Sequence, residues 1–146
     1  MSLKHLIAAA LITLPGVALA QDTPAPEGAA VYFVNLEDGA TVSGPVTVIF
    51  GLEGMGVAPA GTEREMTGHH HIFLNRPPLG EGEEGAEELL YGIPADDNHI
   101  HFGGGQTQVT LDLEPGEHTL QLVLGDLNHV PHVPPVASEQ ITITVE

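Results

Sequence analysis

Short stretches of strict two-residue apolar alternation, repeated along the chain, limit most what it can fold into. Val46, Val48 and Phe50 fall on one side of an extended segment, as do Val109, Leu111 and Leu113, then Leu120, Leu122 and Leu124, then Ile141, Ile143 and Val145. A strand sends alternate side chains to opposite faces, so each stretch has one face to bury and one to wet. Turn formers separate them: Asp38-Gly39, the Gly- and Pro-rich residues 54–68, and Glu114-Pro115-Gly116-Glu117. No segment sustains a helical period. Residues 30–35, 69–75 and 98–102 read as further strands, and the segments flanking Glu114–Glu117 read as a hairpin. About seven short strands of this kind predict an all-β fold, an immunoglobulin-like antiparallel sandwich over residues 30–146.

Ahead of that domain, Lys4, the apolar run 6–14 and Ala18-Leu19-Ala20 make a signal peptide over residues 1–20, cleaved after Ala20. The run is short of the roughly 20 residues a membrane span needs, and Pro15-Gly16 interrupts it. The expected mature protein is periplasmic or secreted, with no membrane contact after cleavage. Residues 21–29 read as a flexible N-terminal tail, and residues 76–97 as an acidic loop containing the glutamate run 81–88.

The whole chain carries a formal charge of −17. Without the leader, Arg64 and Arg76 stand alone against 20 acidic residues, a charge of −18. Such a field excludes nucleic acid and anionic lipid as partners and favours cations. The absence of cysteine excludes thiolate ligands and dithiol redox chemistry, and the absence of tryptophan weakens a sugar-stacking role. Ser43 and Ser138 lack any nucleophile motif, so no catalytic residue is assigned. The run 81–88 lacks the spacing of a calcium loop, and Gly103-Gly104-Gly105 is followed by no phosphate-binding helix.

What chemistry remains lies in the histidines. His69 and His71 share a strand face, as do His99 and His101, each pair about 6.5–7 Å apart along its strand. Pairing the two strands would bring these four imidazoles onto one patch, the first candidate ligand set. His129 and His132, on a loop stiffened by Pro131, Pro134 and Pro135, stand in reserve, with Asp126 and Asn128 as oxygen ligands or acceptors for a ligand's second nitrogen. His70 and His118 share the parity of core residues and are assigned to packing, as are Met55 and Met66. Imidazoles without thiolates suit Cu(II), Zn(II) or Ni(II), with copper or zinc the expected ion. Ligation needs neutral rings, so affinity is expected to fall below about pH 6.

Three functions fit this pattern. One is a metal carrier, buffer or sensor. Another is a structural module with hydrogen-bonded histidines and an envelope protein partner. The third is a copper-dependent redox enzyme resembling superoxide dismutase.

Several long motifs carry a resemblance. Thr67-Gly68-His69-His70-His71, residues 93–107 with Asn98-His99-Ile100-His101-Phe102-Gly103-Gly104-Gly105, residues 113–122, Gly125-Asp126 and Asn128-His129-Val130-Pro131-His132 resemble the bacterial family catalogued as domain of unknown function 4399. The resemblance implies a small exported protein, in a family where some members carry a rod-shape-determining label, and implies no settled activity. Asn75 stands where that pattern leads one to expect Asp, and the acidic run lengthens the connection to Ile93-Pro94.

Overall fold

The computed structural model describes residues 22–146; the expected signal peptide lies outside the described residues. Nine strands and one helix follow in the order β1 (Ala30–Phe33), β2 (Thr41–Val42), β3 (Val46–Glu53), β4 (Gly56–Val57), β5 (Thr67–Leu74), α1 (Gly82–Tyr91), β6 (His99–His101), β7 (Gln108–Leu111), β8 (Gly116–Gly125) and β9 (Ile141–Val145). The smaller sheet has the order β1-β3-β7; the larger runs β2-β9-β8-β5-β4, with β6 also paired to β5. The sheets face each other across one core. Val31, Val46, Val48, Phe50 and Leu111 line it from the smaller sheet, and Ile72, Leu120, Leu122, Leu124, Ile141, Ile143 and Val145 from the larger. Each large aliphatic or aromatic side chain buried there contributes roughly 1.5–3 kcal/mol.

The alternation is honoured in β3 and β9, yet four expectations are corrected. The hairpin around Glu114–Glu117 does not form: β7 pairs with β3, whereas β8 pairs with β5 and β9. Leu111 and Leu120 therefore meet the common core from different sheets, an arrangement that uses the same parity as a hairpin would. The sheets are not wholly antiparallel, because β2 runs parallel to β9 and β4 parallel to β5.

The acidic segment holds α1, not only loop. Glu83 and Glu84 lie in its first turn, where they complement the helix dipole, and Gly85 and Glu88 form its buried side. Gly85 packs so tightly on Gly80 that an added Cβ would lie 2.9 Å from the Gly80 nitrogen. The helix stops at Gly92, at φ 100°. Residues that look like breakers in the sequence are thus a packing contact and a terminator.

The N-terminal residues are held as well. Pro24 bridges to Val133, the Ala25 N–H donates to the Val133 carbonyl (3.1 Å) and the Val133 N–H to that of Thr23 (2.9 Å). Residues 22–25 therefore lie against the domain rather than trailing from it.

Residues Gly68–Phe73 of β5 are buried without alternation. The inner face belongs to the shared core. The outer face meets a second apolar cluster in which Phe73 and Val123 pack with Ile93, Leu79 and Ala137. The segments around α1 and after β8 thus pack on the outer face of the larger sheet, the face that carries His69 and His71.

Candidate metal centre

Strand parity sends His69 and His71 to the outer face of β5. Their neighbours on β8 are Gly125, opposite His69, and Val123, opposite His71. Gly125 has no side chain to occupy the space above it; a Cβ there would lie 2.7 Å from His71 Cε1. On the other side of β5, β6 pairs His101 with His71 and His99 with Phe73. The register therefore delivers His101 to the site and carries His99 two residues beyond it.

His129 arrives from the turn after β8, at φ 68°, in the left-handed region that non-glycine residues seldom occupy. Asp126 closes that turn. Its Oδ1 accepts from the backbone N–H of Asn128 (2.8 Å) and of Val130 (2.9 Å). The His129 N–H donates to the Asp126 carbonyl (3.0 Å), and the His129 carbonyl accepts from Ile93 N–H (2.7 Å).

His69, His71 and His101 can each offer a ring nitrogen with all three within 4.8 Å of one another. His129 Nε2 lies 3.1 Å from His101 Nε2, and its ring centroid 4.9 Å from that of His69. Nitrogens held at roughly 2.0–2.1 Å by a tetrahedral ion are about 3.3 Å apart. Three imidazoles thus converge to within about 1.5 Å of coordination spacing, and the fourth already touches one of them.

His69 and His71 are fully buried, and none of their four ring nitrogens has a hydrogen-bond partner. Native proteins rarely bury polar atoms this way without a water or an ion to meet them. Burial pushes the pKa of His69 down to about 4, with repulsion from His129 and His101 adding to it and the Asp126 carboxylate opposing it. Burial, then repulsion from His69, His101 and His129, pushes His71 down to about 2. His101 is lowered by burial and by His129. The two buried rings are therefore neutral, with lone pairs free, well below the pH near 6 at which free imidazoles take up protons.

The remaining candidates lie elsewhere. His99 belongs to an ionic network: its Nδ1 is 2.7 Å from Asp96 Oδ1 and its Nε2 is 2.7 Å from Glu88 Oε1. Arg76 pairs with the same Glu88 and stands over the Phe73 ring, its guanidinium carbon 4.7 Å from the centroid. His99 shares the outer face, as its parity requires, but its nitrogens are committed there, so it leaves the ligand set. His132 is buried too, but Nδ1 lies 3.3 Å from the Leu124 carbonyl oxygen and the ring packs over Gly68, apart from the cluster. His70 faces the core beside Phe50 at 5.0 Å, as its parity predicts. His118 lies near the start of β8, bonded to Asn75 and the Glu114 carbonyl. Asp126 supports the cluster through the backbone, and the Asn128 backbone is one of its donors.

The buried partner that the sequence does not reveal is Glu88. It lies in a glutamate run whose other members face water, and only the helical phase of α1 singles it out.

A family model described as "Domain of unknown function (DUF4399)" matches residues 48–146, a span containing all four clustered histidines. No curated protein and no solved structure matches the chain.

Proposed function

The chain belongs to this family, and we propose that it is an exported module that binds a transition-metal ion, Cu(II) or Zn(II), through His69, His71, His101 and His129. It would serve as a periplasmic carrier, buffer or sensor, on a frame we read as an immunoglobulin-like sandwich. One observation carries the metal reading: two wholly buried imidazoles with unpartnered ring nitrogens converge with a third, a convergence that His70, equally unpartnered but on the core face, lacks. A hydrogen-bonded structural role is met at His99, both of whose nitrogens are paired, and the nitrogens of His69 and His71 differ from it in having no partner. An ion would satisfy one nitrogen of each ring and offset part of the desolvation of the site.

The arrangement also fits exchange. His69 and His71 form a buried floor, and His101 lies at the edge of the sheet, where solvent reaches it. An ion arriving from solvent would meet His101 and His129 before the floor. The strongly negative net charge draws cations towards the protein. The role proposed is binding and release, without a catalytic step.

Metal analysis and titration of untagged, stripped protein test the reading. The expected result is one ion per chain, with Cu(II) or Zn(II) binding lost in His69→Ala/His71→Ala and retained in His99→Ala. A folded wild-type sample with no binding tighter than about 10 μM would refute it.

A further inference from the structure

Asp126 is almost wholly buried, at 2 % exposure, and no cation pairs with it. Among the described residues the only bases besides histidine are Arg64 and Arg76; Arg76 pairs with Glu88, and no arginine forms an ion pair with Asp126. Its partners are neutral. Oδ1 takes the N–H groups of Asn128 and Val130, and Oδ2 takes the Thr23 hydroxyl at 2.6 Å. Hydrogen bonds stabilise a buried carboxylate, but they leave its charge uncompensated. Asp126 directly follows Gly125, the β8 residue opposite His69, and its carbonyl accepts the His129 N–H at 3.0 Å.

Building on the metal reading above, we propose that Asp126 is the positioning residue of the centre, holding His129 at the fourth corner and supplying the countercharge for the ion. Geometry and charge act through different atoms. Oδ1 fixes the turn: with the amides of Asn128 and Val130 on one oxygen, and the Asp126 N–H on the Val130 carbonyl at 2.8 Å, residue 129 is pressed into its left-handed conformation. That conformation directs the ring towards His101 and His69. Oδ2 is tied to the N-terminal strand segment through Thr23, which keeps the carboxylate from rotating away from the turn. The carboxylate, one residue on from the Gly125 that faces His69, would supply negative charge to a site made entirely of neutral ligands, where a divalent ion would otherwise be buried without any counterion. Groups that orient metal ligands typically change affinity 10- to 100-fold when removed.

Two substitutions separate the roles. Asp126→Asn keeps an oxygen for the two amides and offers its NH2 group to the Thr23 hydroxyl, so the turn survives and only the charge goes. Asp126→Ala removes both. Titration with Cu(II) alone, read by affinity and by the electron paramagnetic resonance signature of nitrogen coordination, compares them with wild type and His129→Ala. Asp126→Asn is expected to weaken binding about tenfold while keeping the wild-type spectrum. Asp126→Ala is expected to weaken it about 100-fold and to reproduce the spectrum of His129→Ala. Wild-type affinity in Asp126→Asn would overturn the charge role. A wild-type spectrum in Asp126→Ala would overturn the positioning role. Should the alanine variant fail to fold, the Asp126→Asn affinity still decides, and a value equal to wild type overturns the proposal. Wild-type protein that binds no Cu(II) would overturn the metal reading itself, a result distinct from any of these.

Discussion

Taking the metal-free protein from pH 7 to pH 5 should remove several kcal/mol of its stability, because of three buried imidazoles. His69 and His70 are each held near a pKa of 4 and His71 near 2, burial being the largest cause for all three. In the unfolded chain each returns to 6.5. Below 6.5 the unfolded state therefore binds protons that the folded state refuses, and stability falls as pH falls, until the folded-state values are reached. At pH 5 the gap spans about 1.5 pH units for each ring, or about 2 kcal/mol per ring at 1.36 kcal/mol per unit. His70 lies on the core face and couples least to the others, its repulsion being the smallest cause of the His69 shift, so it contributes close to that amount. His69 and His71 repel one another when charged, so part of their effect is shared, and the three together give roughly 4–6 kcal/mol. That is a large part of the 5–15 kcal/mol typical of a domain. Asp96, held below its ordinary 3.8 by its hydrogen bond to His99, loses its contribution only as pH falls through lower values, outside this window. Urea unfolding at pH 7, 6 and 5 measures the loss directly, and His70→Leu should lessen it by about 2 kcal/mol at pH 5. A free energy of unfolding that stays flat from pH 6.5 to 5 would refute the burial of these rings as neutral groups.

Other outcomes follow from the same geometry. Gly125→Ala should weaken Cu(II) or Zn(II) binding at least tenfold, since its Cβ would press on His71 Cε1; unchanged affinity would mean that His71 is not a ligand. His99→Ala should leave metal stoichiometry intact but destabilise the fold by about 1–3 kcal/mol, because Glu88 and Asp96 lose their partner; urea titration and metal analysis on one sample distinguish the two effects. Zn(II) at 100 times its dissociation constant should add about 2.7 kcal/mol to the unfolding free energy at pH 7, and an unaltered denaturation midpoint would contradict binding to the folded state.

Much of this structure is legible in single-strand patterns and little of it in their pairing. Val46, Val48 and Phe50, or Ile141, Ile143 and Val145, announce a buried face because the period of two is local. The assignment of His69, His71 and Phe73 to one face and His70 to the other follows from the same rule. Partners are set at long range. Leu120 has the same parity whether β8 lies beside β7 or in the opposite sheet, so only the closed fold distinguishes a hairpin from a crossing. The ligand set depends on register in the same way. Had β6 slid by two residues, His99 and His101 would lie opposite His71 and His69; in the observed register Phe73 takes His99 and His129 completes the group. Burial of both faces of β5 is equally hidden, since histidines at 69 and 71 read as polar and their burial comes from neighbours distant in sequence.

The strapping of residues 22–25 has a practical side. Thr23 is bonded to Asp126, so any peptide joined ahead of residue 22 starts beside the His129 turn. An oligohistidine purification handle at that end would hang within reach of the cluster and compete for whatever ion is being measured. The opposite terminus is the safer attachment point: Val145 pairs with Gly116, at the far end of β8 from Gly125, about 30 Å away at the usual strand rise.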